Sequence, residues 1–323
     1  MAYLDAIPHT HTFRAMNCQM TAWVCTDDGG AAGAALQAVA RWMQRVDLEL
    51  SRFRPDSDLS RLNAAGGRPY RAGALLWEVT REALAAAQAS RGIFDPTIGL
   101  DLVAAGYDRS FEQLATLAGE PVSPMTRDEA RRSRWEDIHL DPRHRTITLP
   151  PDVRLDLGGI AKGWAADRAL ALLRPLGPAM VDAGGDLAIG DAPPGEMGWP
   201  VATADPFSPD GDLALLVLSE VGLATSGTDH RRWQHGSRSQ HHLIDPDRGV
   251  PAPTDILTAT VIAPTATAAD ALASSLVIMG LDAAADWAHH HPNTPVLLVL
   301  TDGRIYQNPA FARYARAYFP AYA

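Results

Sequence analysis

Residues 155–169, LDLGGIAKGWAADRA, combine residue types that could hold a phosphate group. Gly158 and Gly159 precede Lys162 at a predicted turn from a strand into a helix. Glycines allow backbone angles closed to other residues, and a helix beginning near Ile160 would direct free N–H groups and about half a positive charge at the turn. The stretch is not a Walker loop, because no Ser or Thr follows the lysine. It is either an anion cradle or a tight corner whose lysine lies in water.

A second stretch, TAADALASSLVI at residues 267–278, places an acid and a hydroxyl one helical turn apart. Asp270 and Ser274 would share a face, with side chains about 5–6 Å apart. The surrounding residues are apolar nearly all round, which predicts a buried helix whose two oxygens need partners. Mg²⁺ would satisfy both oxygens. The alternative is a capping box formed by Thr267 and Asp270, which would leave Ser274 unexplained.

The third stretch, HHLIDPDRGVP at residues 241–251, places His242 three residues before Asp245. A histidine beside a carboxylate could act as a general base, because its pKa lies near neutrality. The alternative is structural: Asp245 caps a turn and His242 only lies on a strand. Two further segments, ATSG at 224–227 and AGGD at 183–186, end predicted strands in loops, where ligands often bind.

Composition limits the classes of partner. The 323 residues can bury a large core in one or two domains, with 46% hydrophobic and 20% charged residues. A formal net charge of −10 argues against a nucleic-acid partner, which needs clustered Lys and Arg. An anionic ligand would therefore have to be held locally, by oriented N–H groups, a few cations or a metal.

Cysteine content and hydropathy indicate the compartment. Cys18 and Cys25 are too few for a disulfide framework and wrongly spaced for a zinc knuckle. The N-terminal residues contain no apolar run typical of a secretory signal, and no stretch approaches the roughly 18 apolar residues of a membrane helix. We therefore predict a cytoplasmic protein without membrane insertion.

Hydrophobic periodicity predicts an α+β protein with antiparallel sheet, because hairpins alternate with a few long helices. The predicted elements are a strand over 12–27, helices over 31–53 and 75–90, a hairpin over 135–150, a strand-turn-helix over 155–177, a short strand over 179–190, a loop over 191–212, a strand pair over 213–227, a strand over 258–264, one or two helices over 267–291 and a hairpin over 296–308.

Taken in order, these stretches resemble the ApbE family, the FAD:protein FMN transferases. The matching motifs are SRFRPDSDLSRLN, GIFDPTIG, LDLGGIAKGWAADRA, VDAGGDLAIG, ATSG, HHLIDP and ADALASSLVIMG, which run through most of the chain. The resemblance implies one α+β domain over 12–309, made of two interleaved lobes with a flavin cleft between them. Residues 1–11 and 310–323 would be terminal extensions.

The family's chemistry implies Mg²⁺-dependent cleavage of the FAD pyrophosphate. FMN is attached to a Thr or Ser hydroxyl of an acceptor protein, and AMP is released. Some members instead hydrolyse FAD to FMN and AMP. A third possibility, a flavin-binding protein without catalysis, follows if a departure from the family pattern spoils metal binding. The sequence does not separate these outcomes, because transfer and hydrolysis differ only in the nucleophile that reaches phosphorus.

The resemblance also assigns residues. The metal ligands would be the Ala161 carbonyl, Asp270 and Ser274, the last more often threonine in the family. His242 would be the catalytic base, and Lys162 with the Gly158–Gly159 corner would meet the pyrophosphate. The flavin-binding candidates are Met16, Ser51, Phe53, Asp95, Gly158, Gly159, Lys162, Gly184, Asp186, Thr225, Ser226, His242 and Asp245.

Two departures from the family pattern bear on nucleotide and acceptor binding. Met16-Asn17-Cys18 stands where the family commonly has Met-Gly-Thr, and Asp247-Arg248 replaces the usual Arg-Thr after Asp-Pro. Asparagine in place of glycine could alter how closely the backbone approaches the nucleotide.

Overall fold

The computed structural model describes residues 8–116, 135–208, 210–235 and 238–318. Its helices are α1 (Gly29–Leu50), α2 (Asp58–Asn63), α3 (Ala74–Ala89), α4 (Gly99–Ala104), α5 (Phe111–Thr116), α6 (Ala161–Leu173), α7 (Ala266–Met279), α8 (Leu281–His290) and α9 (Pro309–Ala312). Its strands are β1 (His9–Ala15), β2 (Cys18–Val24), β3 (Tyr70–Arg71), β4 (His139–Asp141), β5 (Thr146–Thr148), β6 (Ala179–Asp182), β7 (Leu187–Ile189), β8 (Trp199–Ala204), β9 (Asp212–Leu218), β10 (Val221–Gly227), β11 (Arg232–His235), β12 (Arg238–His241), β13 (Ile244–Asp245), β14 (Val250–Pro251), β15 (Ile256–Ala263), β16 (Val296–Leu300), β17 (Ile305–Gln307) and β18 (Ala315–Tyr318).

An antiparallel sheet of eight strands, in the order β1-β2-β6-β7-β10-β15-β16-β17, organises the molecule. Its two faces bury different cores, because successive side chains of a strand point in opposite directions. On β10, Leu223 packs toward a smaller sheet formed by β18, β9 and β8, whereas Ala224 packs against α7 and α8. Helices α1 and α6 cover the β2–β6 end of the second face. The α+β prediction with antiparallel sheets is therefore confirmed.

The segment predicted as one strand over 12–27 is a hairpin. Ala15 pairs with Cys18, so only Met16 and Asn17 form the turn, with φ of 49° and 58°. Two consecutive positive φ angles define the type I′ turn, whose twist matches that of the flanking strands. Asparagine tolerates this conformation better than most residues, which explains how Asn17 can stand where the family has glycine.

Three other predicted elements are corrected. The short strand predicted over 179–190 is a hairpin, in which β6 pairs with β7. The loop predicted over 191–212 contains strand β8. This strand can include Pro200 because it is the edge strand of its sheet, where a missing N–H group is tolerated. The strand before the Gly158–Gly159 corner is absent. Instead, the Asn63 side chain bonds both backbone groups of Leu155, at 2.9 and 2.8 Å, and so takes the place of a neighbouring strand.

The proposed terminal extensions are partly within the sheets. Strand β1 begins at His9, and β18 pairs with β9. Residues 1–7 and 319–323 of these extensions lie outside the described residues. In the part of the chain that the structure describes, no helix has the length and apolarity needed to cross a bilayer.

Candidate active site

One cleft of about 460 Å³ collects most of the residues singled out in the sequence. This volume is within the usual range for small-molecule sites. The predicted residues that line the cleft are Met16, Ser51, Phe53, Asp95, Gly158, Gly159, Ala161, Lys162, Gly184, Thr225, Ser226, His242, Asp270 and Ser274. Segments far apart in sequence thus meet at one cavity, which is the arrangement that a binding site requires.

Helix α6 begins at the Gly158–Gly159 corner, as predicted, with Ile160 as its N-cap. Neither glycine has a positive φ, contrary to the reason first given for them. Both are closely packed instead: a Cβ on Gly159 would lie 3.2 Å from the Phe94 ring, and one on Gly158 would lie 2.9 Å from an Asp156 carboxylate oxygen.

The first N–H groups of α6 are largely occupied within the protein. Those of Ile160 and Ala161 donate to the Leu157 carbonyl at 3.2 and 2.8 Å, and that of Gly163 lies 3.4 Å from an Asp270 carboxylate oxygen. The corner therefore offers an anion fewer free N–H groups than the sequence suggested.

Lys162 forms an ion pair with Asp186, which is 1% exposed and lies behind the lysine rather than on the cleft wall. Burial opposes the charged form of the lysine. The nearby carboxylates of Asp186 and Asp270 outweigh this effect and raise the pKa of Lys162. The lysine is therefore a permanent cation whose charge is already matched by a carboxylate.

Helix α7 carries Asp270 and Ser274 on the face toward the cleft. Asp270 is 3% exposed, and burial together with the Asp186 charge raises its pKa to about 7. The Ser274 hydroxyl lies 2.9 Å from that of Ser226 on β10. The capping-box alternative fails, because Thr265 is the N-cap of α7 and its side chain accepts from the Ala268 N–H.

Three close contacts fix the start of α7. The Asp167 carboxylate of α6 accepts hydrogen bonds from the Ala266 and Thr267 N–H groups, both at 2.9 Å. A Cβ on Gly163 would lie 2.4 Å from the Ala266 carbonyl oxygen, and one on Gly222 would lie 2.1 Å from the Ala266 nitrogen. These contacts set the position of α7, and hence of its two cleft residues, against α6 and β10.

The donor set at this point suits a hard cation. Asp270 supplies a buried carboxylate, Ser274 a hydroxyl, and Ala161 a carbonyl oxygen whose second lone pair can bind a ligand. Mg²⁺ is commonly held by one or two carboxylates together with substrate phosphates. Within the described ranges, no group of three or more His, Cys, Asp or Glu side chains forms a metal site. Of the three ligands predicted from the sequence, only Asp270 is a carboxylate.

His242 faces the cleft from the segment between β12 and β13. Burial, and next the charge of Arg231, hold the pKa of His242 well below its usual range. Its Nδ1 atom is buried and has no hydrogen-bond partner among the described residues. The imidazole is therefore neutral at physiological pH, and one of its ring nitrogens is not engaged by the described part of the protein.

Asp95 and Asp245, the other predicted acids, have different surroundings. One oxygen of Asp95 accepts from the N–H and hydroxyl of Thr97, both at 2.7 Å, whereas the other is buried without a partner in the described structure. Asp245 does not line the cleft. Its carboxylate accepts from the N–H groups of Asp247 and Arg248 at 3.0 and 3.2 Å, as the structural alternative for this residue required.

The sequence arguments overlooked two cleft arginines. Arg52 forms a 2.6 Å ion pair with Asp156 and packs over the rings of Phe53 and Tyr107. Arg231 follows β10 and is largely shielded from solvent. Arg52 was within a quoted motif, but Arg231 is in a polar stretch that resembles any solvated surface segment.

The chain is similar in sequence to proteins of one known family. Residues 16–298 match the model of the ApbE family. The chain belongs to the ApbE family. ApbE relatives include the FAD:protein FMN transferase of Treponema pallidum, 32% identical over 84% of this chain and 78% of that protein. The Haemophilus influenzae protein of the same name is 29% identical over 80% of this chain and 77% of its own length.

Solved ApbE structures share the fold. The ApbE protein from Thermotoga maritima superposes with a TM-score of 0.83 at 24% identity, covering 96% of this chain and all of that one. The Pseudomonas stutzeri flavinyl transferase ApbE gives 0.82 at 22% identity, covering 99% of this chain and all of that one.

Proposed function

We propose that this protein is a Mg²⁺-dependent FAD:protein FMN transferase. The substrates are FAD and an acceptor protein that presents a Thr or Ser hydroxyl, and the second product is AMP. Family membership supports the reaction class, and the cleft supports the assignment of residues. The observation that carries the proposal is the neutral His242, which lines the same cleft as Asp270 and Ser274 and whose buried Nδ1 has no hydrogen-bond partner in the described structure.

Three oxygens would hold the metal: the Ala161 carbonyl, the Asp270 carboxylate and the Ser274 hydroxyl. When bound, Mg²⁺ would neutralise the negative charge of the pyrophosphate and stabilise the charge that develops on departing AMP. Asp270 must be ionised to act as a ligand, and the nearby Lys162 favours that form. The Ser226 hydroxyl, at 2.9 Å, orients the Ser274 hydroxyl.

His242 acts on the incoming hydroxyl. As the acceptor oxygen bonds to the phosphorus of the FMN half, the hydroxyl proton passes to the His242 imidazole. The bond from that phosphorus to the bridging oxygen breaks, and its electron pair leaves with AMP. Burial suits His242 to this step, because it keeps the imidazole unprotonated before the substrates arrive.

Other cleft residues bind and orient FAD. The unpartnered oxygen of Asp95 can accept a hydrogen bond from a ligand N–H or O–H group, which would relieve the cost of its burial. Phe53, partly exposed at the cleft, offers apolar surface to FAD, while the Arg52 guanidinium packs 4.1 Å from the centre of its ring. Lys162 supplies positive charge at the start of α6.

The decisive experiment incubates the protein with FAD, Mg²⁺ and a candidate acceptor. Denaturing gel fluorescence then reports covalent flavin on the acceptor, and chromatography reports AMP. We expect fluorescence that depends on Mg²⁺ and is absent with Asp270→Asn. Free FMN without labelled acceptor would instead support the hydrolase. Yellow protein that leaves FAD intact with Mg²⁺ would support a binding protein and overturn the proposal.

A further inference from the structure

Three cationic side chains of the described chain line the cleft: Arg52, Lys162 and Arg231. An anionic ligand such as a pyrophosphate needs a cation whose charge is not already matched by the protein. The partners of the three side chains therefore decide which of them is available.

Arg52 is held mainly by the protein, although its Nη2 atom is buried without a hydrogen-bond partner among the described residues. Its guanidinium pairs with Asp156 at 2.6 Å and donates to the Tyr107 carbonyl at 2.7 Å. The group also packs 4.1 Å from the centre of the Phe53 ring. These contacts hold the arginine in the wall of the cleft.

Lys162 is also held by the protein. It pairs with the buried Asp186, and Asp270 is a second carboxylate near its charge. Breaking a buried ion pair leaves an uncompensated charge, which is strongly unfavourable. The structural role of Lys162 is therefore to neutralise Asp186 and to favour the ionised form of Asp270.

Arg231 differs from both. For the chain as described, its guanidinium makes no ion pair and no hydrogen bond. Its charge nevertheless acts on His242, Asp186 and Asp270, so it lies near the centre of the candidate site. Burial opposes this charge, but nearby acidic groups, Asp186 and Asp270 among them, outweigh burial and raise the pKa of Arg231. The guanidinium is therefore charged while its N–H donors remain unbonded in the described structure, and an anionic ligand could accept hydrogen bonds from them.

We propose that Arg231 is the side chain that binds the pyrophosphate of the dinucleotide, whereas Lys162 positions Asp270. The proposal rests on the proposed function and refines its anion site. A guanidinium suits this role, because its planar set of donors can bond two phosphate oxygens at once and it stays protonated at any physiological pH. The occupied N–H groups at the start of α6 increase the need for such a cation.

The test compares Arg231→Gln with Arg232→Gln, a substitution of the exposed neighbouring arginine. Calorimetry measures binding of FAD and of inorganic pyrophosphate to each variant without metal. We expect Arg231→Gln to weaken both by about 10- to 100-fold, the usual effect of losing hydrogen bonds to a charged group. Arg232→Gln should bind both ligands as the wild type does.

Melting temperature without ligand separates the two cleft cations. Arg231→Gln removes a guanidinium that makes no hydrogen bond or ion pair with the described protein and should change the melting temperature little. Lys162→Gln leaves the buried Asp186 carboxylate without its counter-ion and should lower the melting temperature. A purely structural role for Arg231 would instead lower the melting temperature and leave pyrophosphate binding intact.

The outcomes distinguish this proposal from the proposed function. If the wild type bound neither FAD nor pyrophosphate, either without metal or with Mg²⁺ present, the proposed function would fail, and the role of Arg231 with it. If the wild type bound both and Arg231→Gln bound them equally well, only the assignment of Arg231 would be wrong.

Discussion

Ser274 and Ser275 are neighbours on α7 whose hydroxyls have different partners. That of Ser274 faces the cleft and contacts Ser226, whereas that of Ser275 is fully buried and donates to the Ala271 carbonyl of its own helix at 2.8 Å. The pair allows a test of the metal site that keeps helix and residue type constant.

We expect Ser274→Ala to raise the Mg²⁺ concentration for half-maximal activity about tenfold or more, because one oxygen ligand is lost. Ser274→Thr should stay near wild type, since the hydroxyl is kept. Ser275→Ala is the matched control and should not change the Mg²⁺ requirement. Titration of transferase activity with Mg²⁺ measures all three. An unchanged requirement in Ser274→Ala would remove this hydroxyl from the ligand set.

His242 allows a second test at this scale. We expect His242→Asn to slow flavin transfer by about 10²- to 10⁴-fold, the range typical of general-base catalysis, while FAD binding stays near wild type. His144→Asn, which alters an exposed histidine on the β4–β5 turn, is the control. Single-turnover rates and FAD titrations separate the two effects. Equal rates for both variants would rule out His242 as the base.

Which individual residues the sequence could predict depended on how local their signal was. Asp270 and Ser274 stood out because helical spacing alone places them on one face, and His242 because it precedes a turn-forming Asp-Pro. Arg231 carried no such signal. Its role depends on which carboxylates occupy Arg52 and Lys162, and that information exists only once the chain is folded.

At the level of elements, the contact between α6 and α7 is the most demanding part of the site. We expect Gly163→Ala to lower the free energy of unfolding by about 1–3 kcal/mol, because the added methyl group would overlap the Ala266 carbonyl and the backbone must move. Transferase activity should fall further than stability alone explains, since α7 carries Asp270.

Gly33→Ala is the matched control. Gly33 is an exposed position within α1, and a Cβ there meets nothing within 4 Å. Alanine favours helix over glycine by about 1 kcal/mol, so this variant should be stabilised and fully active. Chemical denaturation with activity assays compares the two. Equal stability of both variants would show that α6 and α7 can separate without cost.

The long amphipathic helices α1 and α3 were predicted to within three residues at either end, because their apolar positions repeat at helical spacing. The predicted secondary structure was wrong where a side chain took the place of a neighbouring strand, or where a strand lay at the edge of a sheet. Asn63 takes the place of a strand beside Leu155, and Pro200 is tolerated only because β8 is an edge. Neither substitute partner is visible in local sequence.

At the scale of the whole molecule, two histidines that are partly shielded from solvent make stability depend on pH. Burial, and then the charge of Arg232, lower the pKa of His241, as burial and Arg231 do for His242. Below about pH 6.5, the ordinary pKa of histidine, the unfolded chain binds protons that the folded chain does not. Stability is therefore fully present above this pH and is lost as pH falls below it.

We expect the melting temperature to decrease between pH 6.5 and 5, and His241→Gln to make this decrease smaller. The effect of each histidine can reach about 1.4 kcal/mol per pH unit. Thermal melts of both proteins across this pH range provide the measurement, and parallel curves would contradict the linkage.

The global arrangement followed from the resemblance rather than from periodicity. Hairpins and helices indicated the α+β class, but nothing local indicated that β2 pairs with β6 or that β10 pairs with β15. Those pairings join segments distant in sequence, and they bring the β1–β2 turn, the start of α6 and α7 to one cleft.

The anchoring of α7 by Asp167, Gly163 and Gly222 has a consequence for random mutagenesis. None of the three lines the cleft, yet each fixes the helix that supplies the metal ligands. A screen that scores only lost flavinylation would recover these positions together with Asp270 and Ser274. Added Mg²⁺ should rescue a weakened ligand sphere better than a displaced helix, so re-screening the hits at high magnesium would sort one class from the other.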